Sequence, residues 1–365
     1  MTENVIRVNE LPAMTWNWLK MNNLQFEKGS GFGAGNIEAD IPSEIKSGEL
    51  SDADKQTLMD AETGMGKEMS ALVQKSGSVQ AEASVELMID KGVKASAPVR
   101  LKFRTLGKEA AASCLAVAEE DSEMMIISDM TEISDGSRRS GVETRILVKD
   151  RAKVKLVEIY KGEAESEYFS NIGAVVGEKA EFSLVQLFLG GKKVSAGCAV
   201  ALKGDKSVYN EKTAYEAPVD ARFDFNYVTR HIGKDTESNV HAGGVLHENA
   251  EKTMRQTIDF ICGCSGSKGA EREEVLLMDE DLVNKTIPLI LCAEEDVEGE
   301  HGASIGKLSE EVLFYLRARG LSDEAIYSLM ASGRLMSVVN EIGDEQTEKM
   351  ATELIMGESL EENVE

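Results

Sequence analysis

The chain has no run of eighteen apolar residues, so no segment is long enough to span a bilayer as a helix. Positive charge is scarce. Lys and Arg total 40 against 65 Asp and Glu, a net charge of −25, so a phosphate backbone is repelled over most of the surface and nucleic acid is not an expected partner. Aromatic residues are only 5% of the chain, which argues against a carbohydrate-stacking groove. There is no basic-then-apolar leader at Met1-Thr2-Glu3-Asn4-Val5, and the five cysteines are an odd number. Together these point to free thiols in a reducing cytoplasm. No G-x-x-x-x-G-K-[ST] occurs. The glycine-rich run Cys262 to Gly269 carries its lysine in the wrong place for a phosphate-binding loop, so nucleotide hydrolysis is not expected of this chain.

Apolar residues make up 42% of the 365, ample for a core, and they divide the chain into three regions. Residues 1–85 read as helix and loop. Leu11 to Lys20 places apolar residues at helical spacing around both tryptophans, Trp16 and Trp18. Gly29 to Gly35 contains a loose G-x-G-x-x-A, but no apolar strand precedes it and no apolar helix follows, so it reads as a loop. Ser51-Asp52-Ala53-Asp54 opens a polar helical stretch that reaches roughly to Lys75.

Residues 86–307 read as strands. Asp150 to Ile159 recurs as Glu178 to Leu187, 28 residues on, with weaker echoes beginning at Asp205 and Lys234. Apolar residues alternate in both copies and then change phase between the seventh and eighth positions, which reads as a bend or bulge. A period of this length is the mark of a solenoid, in which each coil buries its inward face only against its neighbours. Short Gly, Asp and Lys turns fit a parallel β-helix better than an antiparallel sandwich. Cys114 and Cys198 fall in Ala-rich alternating strands and read as buried structural residues.

Residues 308–365 read as helices. Ser309 and Ser322 are N-caps, each followed by two acids, and Leu308 with Leu313 and Leu321 with Ile326 form hydrophobic staples. Gly320 is placed to end the first helix. A third helix is expected from Glu345 to Met356, followed by a mobile acidic tail.

Two places carry candidate chemistry. Cys262-Gly263-Cys264 would present both thiols on one face if it lay in a strand, and thiolates ligate iron or zinc. The competing structural reading has Cys262 extending the apolar run Ile258–Ile261 into the core while Cys264 begins a loop. His301, between Gly299-Glu300 and Gly302, lacks the apolar neighbours of a core histidine. His231, His241 and His247 read as structural.

From His301 to Gly320 the chain reads HGASIGKLSEEVLFYLRARG. This resembles the H-G-A-[ST]-[VI]-G-x-[LI]-x-E-E-x-x-F-Y-L-R-[SA]-R-G signature of the SufB/SufD family of iron–sulfur cluster assembly scaffolds. Trp16 to Lys20 is similar to an opening found in shorter members. The resemblance implies a mainly β fold: a right-handed parallel β-helix core flanked by N-terminal and C-terminal helical regions. It implies a non-catalytic scaffold with two partners, a SufC-like ABC ATPase and a SufB-like or identical subunit. The ATPase would dock on the helical module through Leu313, Phe314, Tyr315, Ile326, Leu329 and Met330. His301 and Glu300 would hold a nascent, transient iron–sulfur cluster shared with the partner, His301 as an iron ligand, with Cys262 and Cys264 as further candidate ligands. The cluster-building cysteine of SufB is absent, with Leu282 near its expected place, so the chain looks SufD-like there. A polysaccharide-acting β-helix enzyme is the alternative.

Overall fold

The computed structural model describes residues 4–14, 17–29, 31–48, 50–75, 83–104, 108–131 and 139–361. From Glu109 to Gly306 successive strands, mostly ten residues long, alternate between two sheets, and each pairs in parallel with the strand one coil earlier. About seven coils stack in this way. The repeat read in the sequence is the pairing register itself. Lys153 faces Glu181, Glu181 faces Val208 and Val208 faces Glu237, offsets of 28, 27 and 29 residues.

The corners explain the spacing. Asp121, Arg151, Lys179, Lys206 and Asp235 each take a left-handed backbone, with φ between +53° and +61°. That conformation costs a residue with a Cβ on the order of 1 kcal/mol. In return each of their N–H groups donates to a carbonyl one coil on, from Arg151 to Glu178 O at 2.8 Å and from Lys206 to Lys234 O at 2.8 Å. The hydrogen-bond ladder therefore continues around the bend, where Ala152, Ala180, Ser207 and Thr236 stack buried inside the corner.

The apparent change of phase in the repeat has a different cause from the one expected. The ladder from Lys153↔Glu181 to Gly162↔Gly190 is unbroken, so there is no bulge. Instead the strand is buried on both faces in its second half. Leu156 and Tyr160 point into the solenoid, whereas Val157 and Ile159 point outward under a helical cover. That cover comes from α4 (Asp323–Val339) and α5 (Glu345–Glu361). Leu335, Val338, Val339 and Ile355 close over Val157, Ile159, Val185 and Leu187 of the second sheet. Arg100 pins the α4–α5 turn with two 2.9 Å bonds to Asp344.

The first 85 residues hold more strand than expected. Strands Val5–Val8 and Leu24–Glu27 form an antiparallel hairpin. Between them, among the described residues, a 3-10 turn, Asn17–Leu19, stands where a helix was expected. Thr15 and Trp16 lie outside the described residues. The predicted polar helix is two helices, α1 (Asp52–Asp60), capped by Ser51, and α2 (Lys67–Lys75). They lie on the outer face of the first sheet. Leu58 packs on Val117, Leu147 and Val175, and Met69 and Val73 pack beside Phe169. Arg145, buried beneath, donates to Leu58 O and Ala61 O and so satisfies the carbonyl end of α1. The glycine-rich Gly29–Gly35 stretch opens no helix. Its Gly33–Ala34 pairs with Ala110–Ala111. After the solenoid, α3 (Glu310–Arg317) and α4 start at the expected serine caps, and Gly320 with φ +89° ends the α3 turn. The last helix, α5, begins at the expected Glu345 but runs to Glu361, five residues past the expected end. No helix among the described residues is long and apolar enough to cross a membrane.

Candidate functional site at the open end of the solenoid

The last coil consists of strands Val283–Cys292 and Val297–Gly306, one at the end of each sheet. Among the described residues no strand pairs with their outer edges. The side chains of Val297–Gly306 are almost all exposed, in contrast to the buried strands of the same sheet. Val283, Ile290 and Ile305 are all exposed there as well.

His301 lies in this final strand, in register with Glu271. Residues opposite each other on neighbouring strands point the same way, and Glu271 is buried inside the solenoid. His301 therefore faces the interior at its mouth. Glu300, one residue earlier, faces the opposite side, so the strand does not bring the two expected partners together. The carboxylate on the same face as His301 is Glu271. Its Oε2 has no hydrogen-bond partner within the protein. Burial, with the Glu211 carboxylate behind it, pushes its carboxyl well up from the usual range. Partial burial lowers the His301 imidazole, and the charge of Glu273 opposes that shift.

Beneath the last coil lies a polar floor that the sequence reading missed. Lys252 and Glu273, both fully buried, form an ion pair. Glu273 also accepts from Thr286 Oγ1 at 2.6 Å and from Tyr215 Oη at 3.2 Å. Nearby, both amide atoms of buried Gln256 lack protein partners. A strand that alternates Ala270, Glu271, Arg272 and Glu273 carries no local sign of which charges face inward. The only signal was the register, which places Glu271 and Glu273 in columns with Glu211 and Glu158 across earlier strands. Unpaired buried polar atoms mark space suited to water or a polar ligand. Imidazole and carboxylate can both bind iron. Yet no group of three or more His, Cys, Asp or Glu among the described residues is arranged to hold a metal ion.

The cysteines divide differently from either reading. Cys262-Gly263-Cys264 is a corner, not a strand. Cys262 is exposed and Cys264 is fully buried, the reverse of the order expected for a structural pair. Cys114 and Cys198 are buried in the core, where desolvation raises both thiols. Of the other histidines, buried His231 has both ring nitrogens bonded, to Thr236 and Ser238 at 2.7 and 2.9 Å, and is held neutral with its pKa lowered to about 4 by burial. His247 meets Glu216 at 2.8 Å.

On the helical module, Phe314, Tyr315 and Leu329 are well exposed, and Met330 is partly so at 36%. Leu313 and Ile326 are buried and hold the helices together rather than facing out.

These features define a class: an open-ended, two-sheet parallel solenoid carrying a helical module and a histidine at its open mouth. The chain belongs to the family described as SUF system FeS cluster assembly, SufBD core domain, whose model matches residues 103–334. It is similar to the iron–sulfur cluster assembly protein SufD of Bacillus subtilis, 24% identical over 275 residues that cover 74% of this chain and 62% of that protein. It is also similar to SufB of the same organism, 22% identical over 268 residues covering 72% of this chain and 57% of that protein. A SufBD family protein of Synechocystis is 23% identical over 267 residues, 70% of this chain and 56% of that protein. The aligned region thus spans little more than half the length of these relatives. SufD and SufB match almost equally well, so identity alone does not separate the two types.

Proposed function

We propose that this chain is a non-catalytic scaffold subunit for iron–sulfur cluster assembly, SufD-like in role and cytoplasmic. The observation that carries the reading is the uncapped last coil. It combines unpaired strand edges, exposed apolar side chains and an inward-facing histidine, in a member of a family described by iron–sulfur assembly. An unpaired strand edge is a template for another strand. The occupant we propose is a SufB-like subunit or a second copy of this chain. The cluster is cargo, built transiently at the junction. His301 and Glu271 would supply ligands from this side and the partner the remainder, since no metal site closes among the described residues of this chain. Glu300, facing the other way, would contact the partner instead. Cys262 and Cys264 are secondary as ligands, because they share one corner but point apart.

The second contact is with a SufC-like ATPase. Phe314, Tyr315, Leu329 and Met330 form the exposed part of α3 and α4, while the buried part of α4 is committed to the solenoid. Aromatic and methionine side chains suit an adaptable helix-on-protein contact.

The test is anaerobic assembly with SufB-like and SufC-like proteins from the same genome, followed by iron and sulfide quantification. His301→Ala should keep the fold and both partners but lower the iron and sulfide load severalfold. A normal load in that variant, with full complex formation, would remove the site from the mouth of the solenoid.

A further inference from the structure

The corner after strand Glu251–Phe260 and the corner after strand Val283–Cys292 lie one on the other. Gly263 N–H donates to Glu294 Oε2 at 2.9 Å, and Gly266 N–H donates to Asp296 O at 2.7 Å. Cys292 pairs in register with Phe260, so its side chain lies on the inward side of the last coil. Its thiol donates to Glu294 O at 3.0 Å, which turns the sulfur toward the corner. Cys264 is turned inward at the same place. It packs with Ile258, Phe260 and Val297 and is fully buried. Gly263, with φ +105°, lets the chain reverse so that Cys262 points out and Cys264 points in. Three of the five cysteines thus fall on these two stacked corners, and Phe260 links two of them: Cys264 packs against it and Cys292 is its register partner.

We propose that Cys264 and Cys292 form a reversible dithiol–disulfide pair, oxidised by a peroxide, that fastens the last coil to the one before it. Cys292 is the exposed thiol and reacts first. Its sulfur takes up one oxygen as the peroxide O–O bond breaks, giving a sulfenic acid, and the departing hydroxide takes the thiol's proton to leave as the first water. The Cys264 sulfur then attacks the sulfenic sulfur, the S–O bond breaks, and water leaves. Two thiols lose two electrons and two protons, and one hydrogen peroxide becomes two waters. Cys264 suits the second role. It is buried against Phe260, the register partner of Cys292, so peroxide from solvent reaches Cys292 first.

The link would join residues 28 apart in sequence and lock the coil that carries His301. It would change the order of the open end without touching the middle of the solenoid. The inference does not depend on the scaffold reading, and its test uses no partner.

The full-length chain would be treated with hydrogen peroxide, alkylated under denaturing conditions, and digested without reduction for mass spectrometry. A single intrachain Cys264–Cys292 link that dithiothreitol reverses is expected, with Cys114 and Cys198 still alkylated. Cys292→Ser, at an exposed site, should abolish the link, and Cys262→Ser should leave it. Amide hydrogen exchange across residues 283–306 should slow about tenfold or more on oxidation and recover on reduction. A Cys262–Cys292 link, a link between chains, or Cys292 carried to sulfinic acid while Cys264 remains alkylated would each overturn the proposal.

Discussion

The two ends of this solenoid are built differently. At the first end the chain turns back on itself. Asn36–Asp40 pairs antiparallel with Val99–Arg104, and Ile45–Ser47 pairs antiparallel with Ser84–Ile89, so both sheet edges carry a short cover strand. At the other end Val283–Cys292 and Val297–Gly306 have no such cover among the described residues. Short reversed strands are one way to blunt an edge. The same chain uses that device at one end and leaves it out at the other. The open end is therefore a feature of the molecule rather than a general property of its fold.

The largest effect should separate the sealed coils from the open one. Phe225 is fully buried in the middle of the stack, with Phe188, Tyr215, Phe223 and Tyr227 rings 5.0 to 6.2 Å away. Phe225→Ala should cost about 3–5 kcal/mol of unfolding free energy in chemical denaturation. Ile305→Ala, at an exposed position in the last strand, should cost less than about 1 kcal/mol. Equal losses would mean that the last coil is as tightly built as the middle, and the contrast would fail.

The same contrast governs what could be read from sequence. In the sealed coils each inward position must match its neighbours above and below, so the repeat is written into the chain. The copies at Asp150 and Glu178 supplied the true register. The helical caps were equally legible, because a serine followed by acids satisfies a local need. What stayed hidden depended on contacts distant in sequence. The outward burial of Val157 and Ile159 comes from helices about 180 residues later, so it read as a bulge. The inward pair Glu271–His301 is set by register across a whole coil, whereas Glu300 came from the family resemblance and, next to His301 on a strand, faces the opposite side. The corner at Cys262 to Ser267 has no short-range signature that orders its two thiols.

A second, smaller effect lies inside the sealed part. Glu211 is buried, with Oε1 accepting from Thr213 at 2.5 Å and Oε2 unpartnered. Desolvation raises its pKa to about 8, with Thr213 opposing. The folded protein holds this proton up to about pH 8, whereas the unfolded chain releases it above about pH 4.5. Stability should therefore fall as pH rises between those values and level off above them. Glu211→Gln, which keeps shape and hydrogen-bonding capacity, should reduce the slope, to which buried Glu158 and Glu271 also contribute, and leave the variant more stable at pH 8.5 by about 2–4 kcal/mol. At pH 4 the two proteins should be nearly equal. A parent whose stability does not fall across this range would show that Glu211 is solvated.

At the open end the expected effect moves from folding to association. Replacing Val283, Ile290 and Ile305 together by Glu should change unfolding free energy by less than about 1 kcal/mol, since all three are already exposed. It should weaken association with a SufB-like subunit, or with itself, at least about tenfold in sedimentation velocity, because three desolvated charges would sit in the contact. Unchanged association would place the pairing surface elsewhere.

The smallest effect concerns His301, and its sign tests how open the mouth is. Partial burial lowers its pKa, and Glu273 resists. With the folded value below that of the unfolded chain, near about 6.5, the neutral imidazole is favoured by folding. This histidine should thus withdraw stability only as pH falls through 6.5 toward its folded value, and nothing above it. Much of the ring is solvated, so the loss should be a few tenths of a kcal/mol at most. His301→Ala should erase that small acid-side slope. An NMR titration of the imidazole should give a midpoint somewhat under 6.5 in the free chain. A midpoint above 6.5 would mean that a carboxylate charge dominates, from Glu273, which already opposes the shift, or from Glu271, directly opposite in register. In that case the mouth would hold a charged His–Glu pair in the free chain, and metal binding there would have to break that pair first.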